Sequence, residues 1–166
     1  MLRAAVALLL LAQLSSEHVA AQSSTQTEAR KALIQRLYQD GYVHGNLAVI
    51  DSVFAPEYLR HDSGVSAKAG RDIQYSLSRW LPAAYPDLQV HMDFIMAEGD
   101  KVAARWTIRG TNTGPFRGAP PTGKAVEFSG INVFRFENGQ VVEIWNHRDD
   151  LHWFQEMGLM PPLPQR

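Results

Sequence analysis

The side chains best suited to proton transfer lie near the C-terminus, where Trp145, His147 and Asp149 occur at every second position. In a strand such residues share a face, so a pocket on that face would bring the Asp149 carboxylate close to Trp145. Burial beside an aromatic ring raises the pKa of a carboxyl group and lets it exchange a proton with substrate near neutral pH. Asp149 is therefore a candidate acid–base residue. Its position also suits the N-cap of a following helix, with Asp150 as a second candidate cap.

His61 and His147 are further catalytic candidates, because a neutral imidazole can relay a proton or orient a carboxylate near physiological pH. Each also has an ordinary structural explanation. His61 could be a hydrogen-bonded residue at a strand end, and His147 a partly exposed strand residue. No histidine pair has the HExxH spacing of a zinc helix, and His147 with Asp149 and Asp150 forms only a loose cluster. The sequence therefore indicates no metal site.

Aromatic side chains at core spacing would line any cavity and favour a flat, apolar ligand, although each of them also fits simple packing. Asn132 lies in an otherwise apolar stretch. A buried amide without a partner costs about 1–3 kcal/mol, so Asn132 should bond either to a neighbour or to a ligand. The candidate substrate-binding residues are Trp80, Phe94, Trp106, Phe128, Asn132 and Trp145.

Helices are predicted in the first half of the chain and strands in the second. Thr25 and Glu28 have capping-box spacing at the start of the first helix. Asn46 can cap a second, short helix that Pro56 closes, and a third helix is predicted over residues 71–84. A short helix follows Asp149 or Asp150.

From residue 88 onward the apolar period changes to two, which is typical of antiparallel strands. The four predicted strands cover residues 88–96, 102–108, 126–137 and 141–147. Asn138-Gly139 is a strong hairpin signal, since both positions tolerate a positive φ. Residues 58–61 are a further, short candidate strand. Residues 110–124 are rich in Gly, Pro and Thr and are predicted to form a loop that borders the pocket mouth or a dimer contact.

A curled antiparallel sheet must bury its apolar face, and helices from the N-terminal half can lie inside the curl. The predicted fold class is therefore α+β, with N-terminal helices packed in a curved sheet. A concave sheet leaves an apolar cavity as a natural consequence of its shape.

The succession of Pro86-Asp87-Leu88, Glu98-Gly99-Asp100, GTNTGPFRGAPPTGK and ENGQVVEIW, followed by Asp149, resembles the SnoaL-like polyketide cyclase family of the NTF2-like superfold. The resemblance runs from about Arg30 to Gly158. It implies a cone-shaped barrel with a deep apolar pocket, frequently dimeric, without a metal or organic cofactor.

In the founding cyclases of that family, an aspartate at the position matching Asp149 acts as general acid–base in an intramolecular aldol closure. Asn112 departs from the histidine that many relatives carry in the GTHTG motif, so an imidazole role there is absent. The same superfold also hosts isomerases, epoxide hydrolases, dehydratases and proteins without known catalysis, so the fold alone does not define the reaction.

Residues 1–21 combine a basic Arg3, an apolar run over residues 4–12 and small residues ending at Ala21. This layout is typical of a cleaved secretory signal peptide, and the run is short for the alternative, a membrane anchor. The expected organisation is a signal peptide over 1–21 and one domain over 22–166. The mature protein is expected to be soluble in the periplasm or secreted.

The composition excludes several classes of function. The chain has no cysteine, which removes disulfides, thiolate metal sites and a cysteine nucleophile. Its net charge of -1, without runs of Lys or Arg, does not indicate binding to nucleic acid or anionic lipid.

Three functions are compatible with these residues. The first is a cofactor-independent enzyme that moves protons on a small hydrophobic carbonyl or cyclic compound, with Asp149 as acid–base. The second is an exported protein that binds a small molecule in the same cavity without turnover. The third is a dimerisation module whose cavity is filled by side chains. A homodimer and a small hydrophobic ligand are the expected partners.

Overall fold

The computed structural model describes residues 22–116 and 118–161. The signal peptide predicted for residues 1–21 lies outside this part of the chain. Within the described residues, no helix is both long and apolar enough to cross a membrane.

The part of the chain that the structure describes contains four helices and six strands. The first helix, α1, covers residues 22–36 and continues as a π-helical segment, Leu37–Val43. The other helices are α2 (Leu47–Val53), α3 (Asp72–Ala84) and α4 (Asp150–Glu156). The strands are β1 (Phe54–Asp62), β2 (Val65–Gly70), β3 (Gln89–Glu98), β4 (Lys101–Thr111), β5 (Ala125–Glu137) and β6 (Gln140–Arg148).

The strands form one curved sheet in the order β2-β1-β6-β5-β4-β3, which does not close. β1 and β6 pair in parallel and all other neighbours are antiparallel. Fully buried residues of α1 and α2 pack with those of the sheet in one core, for example Ile34, Ile50 and Phe134. The predicted α+β fold, with helices against the concave side of the sheet, is confirmed.

β6 contains an irregularity that the alternating sequence pattern does not reveal. Arg135 pairs with Glu143 but Phe136 pairs with Val141, so Val142 is an extra residue opposite β5. The bulge puts both Val141 and Ile144 in the core, at 0% and 2% exposure. Strict alternation along β6 would put Val141 on the same face as Glu143, but the bulge shifts the alternation by one residue and turns Val141 inward.

The edge of the sheet also differs from the prediction. β1 is longer than residues 58–61, since it begins at Phe54 and includes Pro56. β2, the edge strand, was not predicted because four of its six residues are exposed and it carries no alternating apolar pattern. The hairpin at Asn138-Gly139 is as predicted, with φ values of 51° and 82°.

The loop predicted over residues 110–124 begins two residues later, because β4 extends to Thr111. Asn112 stabilises this loop. The buried Asn112 side chain donates to the carbonyl of Gly114 at 2.9 Å. Its own oxygen accepts from the backbone N–H of Thr122 at 2.8 Å. At this position the amide therefore holds the two ends of the loop together.

Candidate functional site

A cavity lies between the helices and the concave face of the sheet. Its volume of about 70 Å³ leaves room for several water molecules or a small ligand. Most of its wall is apolar, and the aromatic members are Tyr38, Tyr42, Trp80, Trp106, Phe128 and Trp153. The cavity is therefore not filled by side chains. This disagrees with the third possible function, a dimerisation module with a filled cavity.

One end of the cavity is formed by Trp153 of α4. Its ring stacks on Phe128 with centroids 4.2 Å apart, and lies parallel to Trp80 at 6.2 Å. Its indole N–H donates to the Tyr85 hydroxyl at 2.9 Å. A tryptophan that is both stacked and hydrogen-bonded is held rigidly, so α4 completes the wall of the cavity rather than covering the sheet edge.

The polar part of the cavity is built around Asn132 of β5. Its side-chain oxygen accepts from the Tyr38 hydroxyl and from the Trp106 indole N–H, both at 2.6 Å. Its amide nitrogen donates to the Asn146 side-chain oxygen at 2.6 Å. We call Tyr38, Trp106, Asn132 and Asn146 the amide network. Asn132 therefore bonds to its neighbours, and its hydrogen-bonding groups need no ligand as partner.

Tyr38, a member of the amide network, and Tyr42 beside it are buried phenols. Burial raises the pKa of Tyr38 well above its ordinary value, and the neighbouring Tyr42 adds to the effect. Burial likewise raises the pKa of Tyr42, whose hydroxyl donates to Gln74 at 2.6 Å. Both hydroxyls are therefore neutral hydrogen-bonding groups at physiological pH, and neither is a phenolate base.

Of the described residues that line the cavity, Arg60 and Arg148 are the only charged ones. Arg148 donates to both oxygens of Asp150, at 3.0 and 3.3 Å, and lies 3.8 Å from Asp62. Arg60 forms an ion pair with the same Asp62. Burial alone would lower the pKa of Arg148, but the two carboxylates outweigh burial and raise it. Arg148 is therefore charged at physiological pH.

Gly130 allows Trp106 to lie against β5. A Cβ atom at Gly130 would lie 2.5 Å from the Trp106 ring and 2.6 Å from the His147 carbonyl oxygen. Both distances are shorter than real side chains show, and one of them is to backbone, which cannot rotate away. The cavity therefore depends on glycine at this position for the placement of its indole wall.

Asp149, the predicted acid–base residue, is exposed and lies outside the cavity wall. Its side chain accepts from the backbone N–H of His152 at 3.1 Å and so caps α4. The predicted position of Asp149 at the pocket is wrong, and the capping alternative describes its contacts. The strand ends at Arg148, whose side chain takes the inward position instead.

His61 and Trp145 lie together on the outer face of the sheet, where their rings stack with centroids 5.0 Å apart. The His61 ring nitrogens contact Ser66 at 2.6 Å and Glu143 at 2.8 Å. Arg135 donates to Glu143 at 2.7 Å. We call His61, Arg135, Glu143 and Trp145 the outer-face cluster. Neither His61 nor Trp145 contributes to the cavity wall, because their strand neighbours point inward instead. These are Arg60 on β1, and Ile144 and Asn146 on β6.

The remaining candidates divide between the two faces. His147 is exposed. Phe94 is 38% exposed and pairs with Arg105, because a bulge between Met92 and Phe94 turns its side chain to the outer face. Four predicted substrate-binding residues do line the cavity: Trp80, Trp106, Phe128 and Asn132.

Several lining residues were missed by sequence reasoning. Arg60, Asn146 and Arg148 are polar residues in segments where apolar alternation was the guide, and only the pairing of the strands brings them inward. The available signal was the pair of asparagines, since Asn132 and Asn146 flank the Asn138-Gly139 turn almost symmetrically. Among the described residues no group of three or more His, Asp or Glu side chains could hold a metal ion.

Comparisons with known proteins give a consistent result. The family model for the SnoaL-like polyketide cyclase matches residues 32–157. No curated protein matches the chain.

Similar folds occur among solved structures. AclR of Streptomyces galilaeus, provisionally assigned as a hydroxylase, is 29% identical over 84% of this chain and 87% of its own, with a TM-score of 0.72. IdmH of Streptomyces antibioticus, provisionally assigned as a polyketide cyclase, is 27% identical over 78% of this chain and 98% of its own, with a TM-score of 0.65. A provisional SnoaL-like polyketide cyclase of Jannaschia sp. CCS1 is 24% identical over 81% and 95%, with a TM-score of 0.70.

Proposed function

Because the chain belongs to the SnoaL-like polyketide cyclase family, we propose that it is a cyclase-type enzyme acting on a small carbonyl compound in the described cavity. The amide network and Arg148 carry this proposal. Arg148 places a positive charge at one side of a largely aromatic cavity. The Asn146 amide nitrogen donates to the His61 carbonyl oxygen at 3.3 Å and has a second N–H, so the two side chains together could stabilise negative charge on a carbonyl oxygen. No cofactor has a part in the proposed reaction.

The proposed reaction is an intramolecular aldol closure. A carbon next to a carbonyl loses a proton to a water molecule, and the resulting enolate carbon attacks a second carbonyl of the same molecule. A carbon–carbon bond forms, and the new alkoxide takes a proton back from water. Arg148 and the Asn146 amide stabilise the negative oxygen in each step. The aromatic walls hold the substrate in a folded conformation that brings its two reacting groups together.

The test uses diacetylacetone, a linear triketone that closes to orcinol with loss of one water. Removing a donor that stabilises an oxyanion lowers a rate about 100-fold or more. We therefore expect Arg148→Met and Asn146→Leu to reduce orcinol formation to that extent, measured by chromatography against the uncatalysed rate. Circular dichroism of each variant controls for folding.

Asp149→Asn is the matched comparison, because the amide preserves the cap of α4 while removing the carboxylate. The acid–base role of Asp149 stays a prediction from the family resemblance, and this variant decides it. An orcinol rate within about twofold of wild type would agree with the cavity as the site of chemistry. A large loss of rate in a stably folded Asp149→Asn protein would show that the Asp149 carboxylate takes part in the proton transfer.

A second function is binding without turnover. The observation that favours it is the absence of any carboxylate or imidazole from the described cavity wall. In that case diacetylacetone would bind without forming orcinol faster than in buffer.

We also propose that residues 1–21 direct export to the periplasm or outside the cell, and that the protein forms a homodimer. Exposed apolar side chains such as Met96 and Leu59 are consistent with a covered surface on the sheet. Mass spectrometry of the N-terminus would locate the cleavage, and light scattering would give the oligomeric state.

A further inference from the structure

The two arginines of the cavity come from neighbouring strands. β1 and β6 run parallel, with Arg60 opposite Ile144 and Asp62 opposite Asn146. Arg60 and Arg148 therefore approach the same cavity from strands that touch, and both side chains are largely buried, with 27% and 20% of their surface exposed. Two guanidinium groups in one small cavity are an unusual concentration of positive charge.

The acidic partners of the two arginines do not line the cavity. Asp62 contacts both guanidinium groups and Asp150 binds Arg148 through two hydrogen bonds, yet neither aspartate belongs to the cavity wall. The four charges cancel in number, but of these four residues only the two arginines line the cavity. An arginine held by carboxylates on one side keeps N–H groups for a further acceptor on the other.

The other polar residues of the described cavity wall carry no negative charge that would repel an anion. They are neutral amides and phenols, and the hydroxyls of Tyr38 and Tyr42 donate to Asn132 and Gln74. The arginines lie close enough to these phenols for their charges to favour ionisation, Arg148 at Tyr38 and Arg60 at Tyr42. A ligand oxygen in the same place would experience the same field, strengthened by the low local dielectric.

From this arrangement we infer that the cavity selects ligands that carry an anionic oxygen, a carboxylate or an enolate, on an aromatic or conjugated frame, with Arg60 and Arg148 as the binding pair. The inference rests on the proposed function, since it names the substrate class for the same site. It adds a charge requirement that a generally apolar cavity does not have.

The test compares naphthoate with naphthamide of the same ring position by isothermal titration calorimetry. The two molecules have nearly the same shape and differ in charge. Charge-assisted hydrogen bonds contribute about 1.5–3 kcal/mol, so we expect naphthoate to bind roughly ten- to a hundredfold more tightly. Arg60→Gln and Arg148→Gln should each remove most of this difference and leave naphthamide affinity within about twofold.

Arg105→Gln is the matched control, because Arg105 pairs with Asp93 on the outer face and does not line the cavity. It should leave both affinities as in wild type. Equal or tighter binding of naphthamide by wild type overturns the inference, as does a preference for naphthoate that survives in both cavity variants. Binding of neither probe also overturns it.

Benzoylacetone distinguishes a carboxylate site from one that also accepts an enolate, since its enolate absorbs at longer wavelength than its neutral forms. Conversion to the enolate on binding, at a pH where free benzoylacetone is neutral, extends the ligand class to enolates. A neutral spectrum with preserved naphthoate selectivity restricts the class to carboxylates. These readouts are independent of orcinol formation, so the proposed cyclisation can fail while anion selectivity holds, and the reverse.

Discussion

The two faces of the sheet use the same strands for opposite purposes. The concave face carries the amide network, whose neutral members are buried or half-buried and hydrogen-bonded to one another at 2.6 Å. The outer face carries the outer-face cluster, in which Glu143 forms an ion pair with Arg135 and a hydrogen bond with His61, with partial exposure to solvent. Titratable groups that look catalytic in the sequence are therefore on the face without the cavity.

The comparison teaches how this fold keeps a polar site inside an apolar core. Amides and phenols can be buried at little cost when each finds a partner, whereas an ionised group needs an opposite charge as well. Arg60 and Arg148 meet that condition through Asp62 and Asp150. The outer-face cluster has an ion pair of much the same exposure, Arg135 with Glu143, so the two faces differ in the neutral amide network more than in the burial of their charges.

The largest expected effect comes from breaking the amide network with Asn132→Leu. The substitution leaves the Tyr38 hydroxyl and the Trp106 indole N–H buried without an acceptor, and each such group costs about 1–3 kcal/mol. The free energy of unfolding in urea should fall by roughly 2–5 kcal/mol. Glu143→Gln in the outer-face cluster is the control and should cost less than about 1 kcal/mol. Equal losses for the two variants would remove the contrast between the faces.

Gly130→Ala should come next in size. Its Cβ would clash with the Trp106 ring and with backbone, and forced overpacking of this kind costs about 1–3 kcal/mol. Urea unfolding measures the loss, and displacement of the indole should also alter its near-ultraviolet circular dichroism. Ser129→Ala, at the adjacent position, is the matched control. Unchanged stability and an unchanged aromatic spectrum would show that β5 does not press against Trp106.

Asp149 should behave as a cap and not as a cavity group. Replacing an N-cap aspartate by alanine costs about 1 kcal/mol, whereas asparagine keeps most of the capping hydrogen bond. Asp149→Ala should therefore lower the thermal midpoint more than Asp149→Asn does, and neither should change naphthoate affinity. If both variants lost affinity for naphthoate, the carboxylate would have to act on the cavity despite its exposure.

The smallest effect is a pH dependence on the outer face. Burial alone would raise the pKa of Glu143, but hydrogen bonds from Arg135 and His61 outweigh it and hold the pKa below its usual value. A carboxyl group with a lower pKa in the folded state stabilises the fold above its unfolded pKa, and that contribution disappears as the pH falls through the folded value. Wild type should thus lose slightly more stability on acidification below about pH 4.5 than Glu143→Gln does, by less than about 1 kcal/mol. Parallel curves would mean that Glu143 gains nothing from its partners.

Much of the architecture could be predicted from local patterns. The helical stripes, the change to a period of two and the Asn138-Gly139 turn agree with α1 to α3 and with the β3–β4 and β5–β6 hairpins. β2 could not be predicted, because an exposed edge strand needs no apolar pattern and is held by its pairing with β1.

The candidate site was predictable in its apolar part and, of its polar groups, in Asn132. Trp80, Trp106 and Phe128 reach the cavity because large aromatic residues are buried wherever a core forms, and the sequence alone determines that. Which other polar residues join them was decided by tertiary structure. The bulge at Val142 sets the register that places Asn146 against Asn132, and the parallel pairing of β1 with β6 brings Arg60 and Arg148 into one cavity. A single extra residue reverses which side chains face inward, and a pairing between distant strands leaves no trace in local periodicity.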